Sequence, residues 1–504
     1  MYIDFSSLLT PLTFFIFLAA FFKVILRSKP DENSNLPPGP RKLPLIGNLN
    51  HLLTSSGSTH QVLSDLAAKH GPVMHLQLGQ VSTIVISSAE AAQEVLKTHD
   101  IIFANRPWLV STSLIFYKQK DIAFSSYGEY WRQLRKICTM ELLSPKRVLS
   151  FQPLREKAIS SMCKWIASKE GESINLTEKM YSAICNVLMQ ATFGSMTKEL
   201  SAYIARIQDI NDLASEFSLE DFYPSMRLFR LFSTMRSRAN RLHKIIDTIL
   251  ENIINEHKAA NLESKQRQED LVDVLLKFNE EGHEHHLTIE SVKAVLQDMI
   301  TGGFDSSAAT TDWAMAEMLK HPTVLKKAQD EVRHVFNNKG LFHESFFNEL
   351  KYLKLVIKET LRLHPAGPLL LPRQSSKPCE IHGYKIPSNT RVLVNAWSIG
   401  RNPKYWNEAD SFIPERFLDN QVDYKTNNFE FIPFGAGRRI CPGIAFGLAN
   451  VELPLAMLLY HFDWVLADGM KPENLDMEDV SGLVARRKNP LHVIPMVRNP
   501  LPVE

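Results

Sequence analysis

The chain of 504 residues is short of cysteine, of net charge and of any complete glycine-rich nucleotide loop, and each shortage excludes a class of function. Its five cysteines, Cys138, Cys163, Cys185, Cys379 and Cys441, are an odd set without a CxxC pair. They supply neither a disulfide framework nor a zinc knuckle, and they fit a reducing compartment. Lys and Arg number 57 against 55 Asp and Glu, a net charge of +2, so nothing points to nucleic acid. Gly435-Ala436-Gly437 is followed by Arg438-Arg439-Ile440 rather than a third glycine and opens no βαβ unit, so the chain holds no dinucleotide site of its own. No internal repeat and no shift of composition divides residues 41–504, which read as one large domain.

What is present begins with an apolar run. Residues 5–22 carry no charge and are rich in Phe, Leu and Ile, and with residues 23–26 they just reach spanning length. Asp4 precedes the run while Lys23, Arg27 and Lys29 follow, which places the start in the lumen and the rest in the cytosol. No basic region stands before it and no small-residue cleavage site follows, so residues 1–29 read as a retained membrane anchor. Residues 30–40 end in Leu36-Pro37-Pro38-Gly39-Pro40, a stiff extended hinge that cannot join a helix. On a cytosolic domain the sequon Asn175-Leu176-Thr177 is expected to stay unglycosylated. The aromatic-rich stretch 222–232 either dips into lipid or packs in the core.

Helix-period stretches cover 126–143, 242–257, 288–319 and 352–363, and strand-like runs cover 73–78, 83–87 and 391–395. The polar run 257–270 reads as a solvated linker. Gly282-His283-Glu284-His285-His286 reads as a solvated loop rather than a metal site. Thr288 caps a helix that His321-Pro322 stops, and at about 1.5 Å per residue it spans roughly 48 Å. Two interior glycines, Gly302-Gly303, cost that helix about 1 kcal/mol each relative to alanine, so they need a reason. Removing two side chains opens a groove, and Asp305 with Ser306 beside it can hold water and pass protons. Farther on, Cys441 directly precedes the apolar stretch 444–462, where the positive end of a helix macrodipole favours a thiolate. Gly437 and Gly443 let the backbone turn tightly against a flat group.

The order Phe434, Gly437, Arg439, Cys441, Gly443 resembles the haem-binding signature of the cytochrome P-450 monooxygenases. The resemblance covers residues 36–495, with further landmarks in sequence: Trp131 and Arg135 as WxxxR, Glu359 and Arg362 as ExxR, Arg416 in Pro414-Glu415-Arg416-Phe417, and the glycine pair with Asp305 on the long helix. It implies a mainly α fold with small β-sheets and a haem b between the Gly302 region and Cys441. In that family the cysteine is the axial iron ligand and the phenylalanine packs beside the sulfur. Trp131, Arg135, Arg373 and Arg439 would meet the haem propionates, and Glu359, Arg362 and Arg416 would form a buried structural network. Asp305 and Ser306 would deliver protons. Ser306 departs from the usual threonine: it keeps the hydroxyl but loses the methyl that restricts χ1.

The same resemblance implies O2 as co-substrate and NADPH–cytochrome P-450 reductase as electron donor, with Arg132, Lys136 and Arg438 as candidate contacts. It places the chain on the endoplasmic reticulum membrane, in contact with lipid. The motifs look like those of the plant branch of specialised metabolism, which oxidises lipophilic small molecules, above all terpenoids and terpenoid-derived alkaloids. Phe116, Ile300, Thr301, Gly302, Ala366, Leu370, Leu483 and Val484 fall in segments that line the substrate pocket of relatives. Alternatives are a phenolic or flavonoid-type substrate, a non-oxygenating haem-thiolate isomerase or dehydratase, and a membrane-tethered haem-binding scaffold. The intact Asp305 and Ser306 favour oxygen activation.

Overall fold

Apolar stripes recurring at helical spacing make most of the chain helical, and the strands are short and marginal. The computed structural model describes residues 35–501, except 54–56, 195–197, 231–232, 264–268, 281–285, 340–342, 419–421, 426–427 and 481. The expected anchor, the start of the hinge and most of the Gly282–His286 run lie outside the described residues. His286 itself is exposed.

Eight helices frame the site. They are α1 (Glu129–Ile137), α2 (Gln152–Ala167), α3 (Leu176–Phe193), α4 (Lys198–Ser215), α5 (Thr234–Glu263), α6 (Ile289–Lys320), α7 (Lys351–Leu363) and α8 (Ile444–His461). Strands β1 (Val73–Leu78), β2 (Val81–Ile86), β3 (Arg373–Gln374) and β4 (Arg391–Val394) form a sheet of order β1-β2-β4-β3, in which only the β2–β4 pair is parallel. A small antiparallel hairpin joins β5 (Asp479–Val480) to β6 (Arg486–Arg487). This is the mainly helical architecture with small sheets that the sequence implied.

Helix α6 passes through the middle. The Thr288 side chain accepts from Ser291 N–H at its start, and almost every residue from Ser291 to Leu319 is buried. Helix α8 is also long and apolar enough to cross a membrane by length and composition, but 61% of it is buried inside the protein, which makes it a core helix. One reading of the sequence is corrected at its two ends: His257 and Asp270, which bound the run read as a solvated linker, are buried, while Lys258, Ala259 and Glu269 are exposed and 264–268 lie outside the described residues. Helix α5 continues to Glu263 because its buried stripe of Ile246, Leu250 and Ile254 extends to His257, whose ring meets Asp270 at 2.9 Å. The sequon is committed to structure, since Asn175 accepts from Glu178 N–H and the Thr177 hydroxyl donates to Asp312.

Candidate active site

The two glycines of α6 do different work. A Cβ on Gly303 would lie 2.9 Å from Leu188 Cδ2, so its absence lets α3 pack closely, whereas a Cβ on Gly302 would meet nothing within 4 Å. Gly302 is exposed and Gly303 and Ser306 are half-exposed, in a stretch from Ser291 to Leu319 that is otherwise buried. They mark an open groove on one face. The Ser306 hydroxyl donates to the Gly302 carbonyl at 2.7 Å.

Asp305 points elsewhere. Only 1% exposed, it pairs with Arg486 of β6 and accepts from Asn211 Nδ2 of α4 at 3.3 Å. Burial raises its pKa, and the Arg486 charge opposes that rise.

The cysteine loop is built on tight backbone contacts. Cys441 N–H donates to Phe434 O at 3.0 Å. Gly437 has φ +70°, and a Cβ there would sit 2.0 Å from Leu96 O, so no other residue fits. Phe434 stands edge-on to Tyr424. Burial pushes the Cys441 thiol up, while the Gly443 N–H and the Arg135 charge pull it down. Beyond the loop, a Cβ on Gly447 of α8 would lie 3.7 Å from Ser307 Oγ, so the helix after the cysteine crosses α6 beside the groove.

Arginines gather at the loop's flank. Arg439 donates to the carbonyls of Ala104, Ile122 and Ser125, and its guanidinium lies 4.2 Å from the Trp131 ring. Trp131 Nε1 also donates to Ile122 O. Arg373 reaches Ala436 O and Asp100. Arg106, which sequence reasoning missed, donates to the carbonyls of Ala123, Leu371 and Pro372. Its signal was a cation closing the apolar run Ile101-Ile102-Phe103-Ala104. Burial lowers the pKa of all three, Arg106 well below its usual range, Arg373 to about 10 and Arg439 to about 9. Neighbouring arginine charges lower Arg106 and Arg439 further. Asp121 and Asp100 are the carboxylates that act on them. Three buried guanidiniums against two carboxylates leave room for a further anionic group.

Behind the loop, Glu359 is fully buried and receives a two-pronged contact from Arg362, with Nε and Nη2 each 2.7 Å from a carboxylate oxygen. Arg416 Nε and Ile413 N–H add to it at 3.0 and 2.8 Å. Arg362 also donates to the carbonyls of Gly400 and Ala409, so the network ties α7 to the segment that leads into the loop.

The pocket-lining candidates divide. Phe116 and Ile300 are closed into the apolar core and Thr301 is nearly so, whereas Gly302, Ala366, Leu370, Leu483 and Val484 keep accessible surface. On the outer side, Arg132 and Arg438 are exposed and both lie 6.0 Å from the Tyr127 ring; Lys136 is exposed as well.

The cytochrome P-450 family model matches residues 37–494. The chain belongs to the cytochrome P-450 family. It is 48% identical to salviol synthase of Salvia pomifera over the whole of both chains. It is also 50% identical to tabersonine 6,7-epoxidase isoform 1 of Catharanthus roseus, over 94% of each. Among solved structures, a zebra fish cytochrome P-450 with progesterone superposes with a TM-score of 0.74 at 26% identity, covering 87% of this chain and 99% of that one. As a cytochrome P-450 the chain is a monooxygenase, an oxidoreductase whose cofactor is haem b. The described residues fit that group: Gly302 leaves a space that a Cβ would enter, a cysteine stands just before the helix that crosses α6, and the arginine cluster suits two carboxylates.

Proposed function

We propose that this cytochrome P-450 inserts one oxygen atom of O2 into a lipophilic plant specialised metabolite, a terpenoid or terpenoid-derived alkaloid, with haem b that Cys441 would hold through its sulfur. The observation that supports the reading is the close approach of Gly447, in the first turn of α8 and a few residues after Cys441, to Ser307 of α6, next to Ser306. Haem b bound there supplies the binding and reductive activation of dioxygen, which side chains alone cannot provide. The Gly443 N–H and Arg135 favour the Cys441 thiolate. Arg373, Arg439 and Arg106, with Trp131 and Arg135, hold the carboxylates of the macrocycle, and Phe434 and Gly437 shape the loop around the sulfur. Ser306 holds the proton donor on the groove side, and Asp305 relays protons toward it from the α4 side. Glu359, Arg362 and Arg416 keep the loop's support rigid.

Supporting the substrate class are the relatives' names, which belong to terpenoid and alkaloid chemistry, and the apolar surface of Ala366, Leu370, Leu483 and Val484. Electrons come from NADPH through cytochrome P-450 reductase, with Arg132, Lys136 and Arg438 as its candidate basic contacts. Residues 1–29 anchor the chain in the endoplasmic reticulum membrane, 30–40 act as a hinge, and 41–504 form the cytosolic catalytic domain. Microsomes carrying the chain and a reductase, incubated with terpenoid, alkaloid and phenolic panels, test this by mass spectrometry. A product gaining one oxygen only with NADPH and O2 is expected. Turnover without NADPH, or tight saturable binding of a doubly charged primary metabolite, would contradict it.

A further inference from the structure

Asp305 is held by more than its own helix. Its carboxylate meets Arg486 on β6 and Asn211 on α4, and Arg486 Nη1 donates to Gln208 Oε1 of α4 at 2.7 Å. The same hairpin is pinned at three further points. Leu483 N–H donates to Ser215 Oγ at the end of α4, Ala485 N–H donates to Ala366 O, and Trp313 Nε1 of α6 donates to Ala485 O. Leu483, Val484 and Ala366 are the very residues that offer apolar surface to the proposed pocket. One short stretch, residues 482–486, therefore touches the pocket wall, the end of α4 and the acid of α6.

We propose that Arg486 is a positioning residue for proton delivery, fixing Asp305 as an oriented carboxylate only while α4 and the 482–486 stretch are closed over the pocket. The proposal rests on the relay role proposed for Asp305 and adds the device that sets it. Three arguments support it. First, an almost fully buried carboxylate cannot stay charged without a partner, and Arg486 is the cation in direct contact. Second, the charged and titratable groups around Asp305 are Arg486, Asp212 of α4 and Tyr181 of α3. Burial and Asp212 oppose ionisation, and Arg486 is the group that favours it. Third, Asp305 Oδ1 and Asn211 Oδ1 are buried acceptors with no donor among the described residues, at the α4–α6 contact where a relay needs a proton-bearing molecule.

The link makes substrate closure and proton delivery a single event. Opening α4 or lifting the hairpin separates Arg486 from Gln208 or from Asp305. The carboxyl then gains a proton and loses its orientation, and reducing equivalents leave as peroxide rather than as product.

The test compares Arg486→Met, Arg486→Lys, Asp305→Asn and the double variant in the full-length, haem-loaded enzyme with reductase. The ferrous–carbonyl band serves as the loading control. Arg486→Met is expected to keep that band while product per NADPH falls about tenfold, within the range that positioned acid–base groups contribute. Arg486→Lys should recover much of the loss, and the double variant should be no worse than Asp305→Asn alone. The acid limb of the pH profile should move to higher pH in Arg486→Met, because losing the cation raises the Asp305 pKa further. Hydrogen exchange should quicken in α4 and residues 482–487 while α7 is unchanged. If Arg486→Met fails to load haem, Gln208→Leu takes its place, with a smaller loss of coupling expected. Unchanged coupling in Arg486→Met or Gln208→Leu, or additive losses in the double variant, would overturn the proposal while leaving the monooxygenase reading intact. If Asp305→Asn itself couples like the wild type, the relay role falls and the proposal falls with it.

Discussion

Cys441 sits where burial and two polar neighbours oppose one another, and serine would change that balance completely. A buried hydroxyl stays protonated at any working pH, so Cys441→Ser should lose the red-shifted ferrous–carbonyl band that marks a thiolate ligand; a normal band would reject Cys441. At Ser306 the expected effect is finer. Its hydroxyl already donates to Gly302 O, and if it also holds the proton donor, Ser306→Ala should release more peroxide and less product per NADPH. Ser306→Thr should be neutral or better coupled, because the added methyl restricts χ1 without removing the donor. Unchanged coupling in Ser306→Ala would remove it from the mechanism. Local motifs made these residues legible in the sequence. Arg106 was not, because its partners are three carbonyls, Ala123, Leu371 and Pro372, and a backbone acceptor leaves no mark on the residue type. The direction in which Asp305 points was equally hidden, since it depends on Arg486, 181 positions away.

Helix α6 shows what its paired glycines cost and gain. Gly302→Ala meets open space, so it should raise the melting temperature through about 1 kcal/mol of helix propensity while filling the groove and lowering turnover. Gly303→Ala gains the same propensity but drives its Cβ into Leu188, at a cost of about 1–3 kcal/mol for overpacking, so stability should stay level or fall. Thermal melts of both variants with one activity assay check the contrast, and a stabilised Gly303→Ala with full activity would contradict it. Helix α7 carries a larger stake: Glu359→Ala leaves Arg362 buried without its carboxylate, a loss of about 3–5 kcal/mol, and haem retention after mild heating should fall accordingly. The element positions read from periodicity lie where structure forms, including β1 at 73–78 and α6 from its Thr288 cap, whereas α2, α3 and α4 were not among them. The misreading at His257 and Asp270 came from taking polarity for exposure: both are polar, yet they satisfy one another inside the core. Paired burial of that kind is set by tertiary contact and is invisible along one strand of sequence.

At the scale of the whole molecule, the proposed anchor and the proposed catalytic domain make separable claims on the membrane. The first described residues run directly into an exposed apolar edge of Leu43, Leu45 and Ile46. Tyr223 reaches across to Leu45 O, and Gln80 N–H to Phe222 O, which brings the 217–228 stretch with exposed Phe217, Leu219 and Leu228 to the same edge. Each exposed side chain is ordinary alone, but several on neighbouring segments close to the proposed anchor suit the interface of a bilayer. The two contributions differ in strength, because a spanning helix holds effectively irreversibly whereas an interfacial patch exchanges. Deleting residues 1–29 should therefore release much of the protein into the soluble fraction, with the remainder held loosely and removed by high-salt or alkaline washing. Adding Leu43→Ser, Phe217→Ser and Leu228→Ser to the deletion should release that remainder, with the ferrous–carbonyl spectrum preserved. Alkaline carbonate extraction of full-length chain from microsomes decides the anchor: protein that washes off would show that residues 1–29 do not span. A residual membrane fraction unaffected by the three serines would show that the apolar edge is not its cause.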